Sequence, residues 1–139
     1  MQSVERDRKI AWGLLVLGLL ASAASSLFGL YGKLWWFDEV LHAEIPLALT
    51  LLVGLYGYGA VFTGARDHGL LLVLTIAFVG LGLAALWEVW EWIYDQFVRP
   101  NAILGKTDTI IDMVLGAVGA LVAGYLCLRS FRRVPGRLG

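Results

Sequence analysis

The chain has 139 residues, of which 59% are hydrophobic, and its mean hydropathy is +0.75. A soluble domain averages about 45–50% apolar even with glycine counted, so one soluble core cannot hide this surplus. Eleven basic residues balance eleven acidic ones, which leaves no positive field for a phosphate backbone and argues against a nucleic-acid partner. The single cysteine excludes an internal disulfide framework, and no Cys/His zinc spacing is present. The composition fits one membrane-embedded domain, residues 1–139, in contact with the lipid bilayer.

The first apolar run, residues 10–32, follows Arg6, Arg8 and Lys9. Within it, Ala21-Ser22-Ala23 resembles a signal-peptide cleavage site, but the run has spanning length and is read as a true first span. Three more runs follow, at residues 39–62, 70–97 and 107–128. Each meets the roughly 20 mostly apolar residues that a membrane crossing needs. Backbone satisfaction in lipid favours helices. Polar links at 33–38, 64–69 and 98–106 are short enough to make successive helices antiparallel neighbours. The expected fold is an all-α membrane protein of four antiparallel transmembrane helices.

Positive charge sets orientation. One side of this arrangement carries Arg6, Arg8, Lys9, Arg66, Arg129, Arg132, Arg133 and Arg137, and the other only Lys33, Arg99 and Lys106. Both termini are therefore expected in the cytoplasm. Trp35, Trp36, Trp87, Trp90 and Trp92 then gather toward the outer interface, and Trp12, Tyr56 and Tyr58 toward the inner one, as aromatic belts do. Cys127 falls near the inner interface, where palmitoylation is conceivable.

The carboxylates carry the functional signal. Asp38 and His42 open the second span, Glu88, Glu91 and Asp95 end the third, and Asp108 and Asp112 open the fourth. In the expected topology all lie toward the outer leaflet. At about 100° per residue, Glu88, Glu91 and Asp95 share a face that Ala84, Gly80 and Ala77 continue. Asp108 and Asp112 share a face with Gly116, Gly119 and Ala123. Small residues mark where membrane helices approach one another, so these acids are expected to point into the bundle. Pro46 lacks an N–H and frees the His42 carbonyl beside them. Glu44 points away from this face, toward a neighbouring helix or another subunit.

A charge buried in the membrane costs on the order of 3 kcal/mol on insertion scales, so this many carboxylates cannot all stay ionised without cations. Protonated carboxyls, a metal ion or a cationic ligand would each resolve the conflict. Oxygen donors with one imidazole suit Mg²⁺, Ca²⁺ or Mn²⁺ and accommodate Zn²⁺ or iron. The candidate ligands of a divalent metal are His42, Glu88, Glu91 and Asp112, followed by Asp38 and Asp108. Trp87, Trp92 and Tyr94 flank the acids and offer walls for an ammonium group, such as an outer-leaflet lipid headgroup. The plainer readings make Asp38 and Asp108 helix N-caps and the tryptophans an interface belt.

The segments Phe37-Asp38-Glu39-Val40-Leu41-His42, Trp87-Glu88-Val89-Trp90-Glu91-Trp92 and Asp108-Thr109-Ile110-Ile111-Asp112-Met113, the last followed by Gly116 and Gly119, resemble the YjdF-like family of bacterial inner-membrane proteins. They resemble the VanZ-like family more loosely. The likeness covers about residues 35–124, and order and spacing carry it more than any single motif. It implies a bacterial cytoplasmic-membrane protein whose polar signature falls on Asp38, His42, Glu88, Glu91, Asp108 and Asp112. VanZ-like proteins tend to place Gln and Asn where this chain has Glu91 and Gly116, so the YjdF-like match is the better one. The resemblance supplies no reaction.

Three functions compete. The first is a cation-binding membrane protein, which a metal with an open position would make a hydrolase of a lipid or envelope substrate, with Glu88 or Glu91 as base. The second is a small accessory or scaffold subunit that docks a membrane-protein partner or a second copy of itself. The third, a proton or cation path, lacks ionisable groups in the inner halves of the spans.

Overall fold

The computed structural model describes residues 2–30, 33, 34, 36–61, 68–97 and 105–133. They form four helices: α1 Gln2–Phe28, α2 Phe37–Val61, α3 Gly69–Phe97 and α4 Lys106–Arg132. All four contain stretches long and apolar enough to cross a membrane. Tyr31, Trp35, Arg66, Arg99 and Arg137 of the sequence-based expectations lie outside the described residues, as does the side chain of Tyr58.

α1 begins eight residues before the expected span, because a charged segment outside the apolar run still sustains backbone hydrogen bonds. It ends at Phe28 on Gly29, whose φ of +66° is open to glycine without a Cβ penalty. The Leu30 N–H then returns to the Ser25 carbonyl at 3.1 Å, the longer of the two bonds of a Schellman ending. α2 runs without interruption through Pro46. α4 starts after Gly105, which provides no side-chain cap.

Small residues make the core. Along α2, α3 and α4 the inward positions fall into layers one helical turn apart. Pro46, Ala84 and Gly116 form one layer, Thr50, Gly80 and Ala120 the next, and Gly54, Ile76 and Cys127 a third. A Cβ added at Gly80, Gly116 or Gly119 would collide with a neighbouring helix, at Gly119 with the backbone carbonyl of Ala43. The inner faces of α2, α3 and α4 thus touch almost at backbone level, where packing rather than hydrophobicity drives association in lipid. The His42 carbonyl freed by Pro46 faces this same contact, 3.6 Å from where a Gly116 Cβ would sit.

α1 is peripheral. It packs chiefly on α2, meets α4 at few points, and does not reach α3 among the described residues. Gly18 lies against Glu44 and Ile45, which explains why Glu44 faces away from the other acids. Both Glu44 carboxylate oxygens are shielded from solvent without a hydrogen-bond partner among the described residues. At the far end Arg8 donates to the Leu55 carbonyl at 2.8 Å and covers the Tyr56 ring at 4.3 Å. Because α1 has so little else to hold it, Arg8→Ala should lower stability by about 1–2 kcal/mol. Unfolding by SDS titration in mixed micelles measures this, and an unchanged midpoint would remove Arg8 from the account of α1 docking.

Cys127 is fully buried, its thiol directed at the Leu51 carbonyl at 3.8 Å. This rules out the palmitoylation site suggested by its position in the sequence: the α2–α4 contact covers the sulfur. Large apolar side chains such as Leu17, Leu20, Phe78, Leu86 and Val114 face outward, which suits lipid and not water.

Candidate functional site

One layer beyond Pro46, Ala84 and Gly116, the small residues give way to ionisable ones. His42 on α2, Glu88 on α3 and Asp112 on α4 are all buried. The helical repeat dictates this. His42 lies one turn before Pro46, Glu88 one turn after Ala84, and Asp112 one turn before Gly116. The faces that bring the helices together below also aim these three side chains at one another.

The imidazole is the hub. Its Nδ1 lies 3.2 Å from Glu88 Oε1. Its Nε2 faces Asp38 Oδ1 at 3.5 Å, Glu91 Oε2 at 3.7 Å and Asp112 Oδ2 at 3.9 Å. The His42 side chain is only 5% exposed and that of Glu88 8%. Glu88 Oε1 approaches Nδ1 off the N–H direction and has no directed hydrogen bond, so a buried carboxylate oxygen is left without a partner. Such an orphan costs about 1–3 kcal/mol or more unless something supplies a donor or a cation. Glu91 is better held: the Trp87 indole N–H donates to its Oε1 at 3.0 Å.

Two sets of donor atoms are close enough together to share an ion: Asp38, His42 and Asp112, and His42, Glu88 and Glu91. The structure therefore gathers five of the six candidate ligands around one imidazole. Asp108 belongs to neither set; it lies in the first turn of α4, one turn before Asp112. Asp95 is also outside both sets. Asp38 and Asp108 are not N-caps, as their positions had suggested. Each sits inside its helix, in the first turn, where a carboxylate favours the helix dipole. The aromatic cage is not formed either. Trp87 reaches the acids, whereas Trp92 turns outward and is 55% exposed.

Glu39 was overlooked in the sequence. Its Oε2 is buried without a hydrogen-bond partner among the described residues. The available signal was its spacing, since it stands one turn before Ala43, whose carbonyl meets Gly119.

Membrane-length helices around a buried His/carboxylate layer define a polytopic membrane protein with a polar centre near one end of its bundle. The chain matches the family described as "Predicted membrane protein (DUF2238)" over residues 6–133, and it belongs to that family. No curated protein and no solved structure matches it.

Proposed function

We propose that this protein binds a divalent metal ion in the His/carboxylate layer, through residues drawn from His42, Glu88, Glu91, Asp112, Asp38 and Asp108. The observation that carries this reading is the buried imidazole with four carboxylates from three helices around it, one of them with an unpartnered oxygen. A divalent cation neutralises the charge that burial penalises and occupies the open lone pairs. The bundle runs up, down, up and down with both termini in the cytoplasm of a bacterial inner membrane, and the metal lies toward the outer leaflet. Basic residues favour this orientation. Arg8 meets Leu55 and Arg132 lies near Gly69, at the end opposite His42. The motif likeness to YjdF-like proteins points to the same membrane. A metal with an open position there would activate water for hydrolysis of a lipid or envelope substrate.

The test is elemental analysis by ICP-MS of detergent-purified protein prepared without chelator, wild type beside Glu91→Gln. The expected result is near-stoichiometric metal in the wild type, reduced in the variant. Metal-free wild type overturns the reading and leaves an accessory subunit, whose partner would then be sought by co-purification. Glu44, the acid that seemed aimed at such a partner, is covered by α1.

A further inference from the structure

We propose that the cation sits on the Nε2 edge of His42, held there by Asp38, Glu91 and Asp112, and that Glu88 is a positioning residue that takes the Nδ1 proton. This rests on the metal-binding reading above and divides its residues into ligands and support.

A neutral imidazole has one N–H and one lone pair, so its two edges cannot do the same job. Three carboxylate oxygens from three helices face Nε2, at 3.5, 3.7 and 3.9 Å. These distances are long for directed hydrogen bonds, and one N–H could not satisfy three anions. They do suit ligands of a common ion. Atoms each about 2.1 Å from one cation stand roughly 3.0–3.4 Å apart when adjacent and about 4.2 Å apart when opposite.

The Nδ1 edge is different. It faces Glu88 Oε1 at 3.2 Å, within reach of an N–H···O bond once the ring turns slightly into line. That bond would satisfy the one orphaned oxygen of the layer. Metal-bound histidines characteristically donate their second N–H to a carboxylate, which fixes the tautomer. Trp87 completes the arrangement: it engages Oε1 of Glu91 and leaves Oε2 directed at the Nε2 edge.

Zn²⁺ alone is a sufficient probe. The experiment pairs Zn²⁺ titration of metal-stripped protein in detergent with ¹⁵N NMR of labelled histidine. His68, exposed beside the start of α3, provides the second signal for reference. In the wild type, Nε2 of His42 should carry the zinc-bound shift and Nδ1 the proton. Glu88→Gln retains an acceptor, so it should still bind one Zn²⁺ per chain with affinity roughly 10- to 100-fold lower, and the Nδ1 proton should move upfield. Asp112→Asn should lose more affinity than Glu88→Gln. Asp38→Asn tests the same edge at a side chain that is 30% exposed, where folding is less at stake. Circular dichroism checks that each variant remains helical. Zinc on Nδ1, or Glu88→Gln as damaging as both aspartate variants, overturns the division of roles while leaving metal binding intact. A wild type that takes no Zn²⁺ overturns the metal-binding reading and this assignment together.

Discussion

Replacing Gly119 with valine should destabilise the bundle by about 3 kcal/mol, the upper end of ordinary overpacking. At this position a Cβ would run into the Ala43 carbonyl, with Leu47 Cβ 3.3 Å away on the same helix. A carbonyl on an intact helix cannot rotate aside as a side-chain tip can, so α2 and α4 would have to separate. The contact they would lose also aligns His42 with Asp112. Gly82 provides the control, because nothing lies within 4 Å of its Cβ position. Gly82→Ala should shift stability by less than about 0.5 kcal/mol. SDS-induced unfolding followed by circular dichroism compares the two. Equal midpoints would mean that the close approach of α2 and α4 does not hold the fold together.

His42→Ala should abolish the stabilisation that metal confers. A ligand that binds only the folded state at about 100 times its Kd adds about 2.7 kcal/mol of stability. The wild type is expected to gain this amount with Zn²⁺ in the same unfolding titration, and the variant none. The imidazole contributes the one nitrogen donor and occupies the centre of both donor sets. Loss of an outer partner alone costs roughly 10- to 100-fold in affinity, and loss of the hub should cost at least that. A variant that still gains as much stability as wild type would remove His42 from the site. It would also shift attention to Glu39, the other acid near this end with a buried, unpartnered oxygen.

Much of the layer was legible because period and polarity agree. Ala77, Gly80, Ala84 and Glu88 repeat along one face of α3, and all four are buried. On α4 the same holds for Asp112, Gly116, Gly119 and Ala123. An acid that continues a stripe of small residues must enter the helix contact, and that inference needs only the helical repeat. Asp108 shows its limit. It continues the same stripe but lies one turn beyond the level that α2 and α3 supply with partners, and periodicity does not measure that height.

By itself, then, the sequence determined the four helices, their membrane length and the faces on which they meet. Apolar runs, glycine spacing and charge placement are local quantities, and these features depend on nothing else. The tertiary structure decided the rest. It showed that α1 stands aside, that Glu44 rests under Gly18, that Cys127 is sealed, and that Trp87 turns inward while Trp92 turns out. It also decided which carboxylate faces which edge of His42. The reason is that lipid is as apolar as the protein interior. Hydrophobicity therefore cannot separate a packed face from a lipid-facing one, and only the fitting of backbone against backbone at the glycines selects the partners.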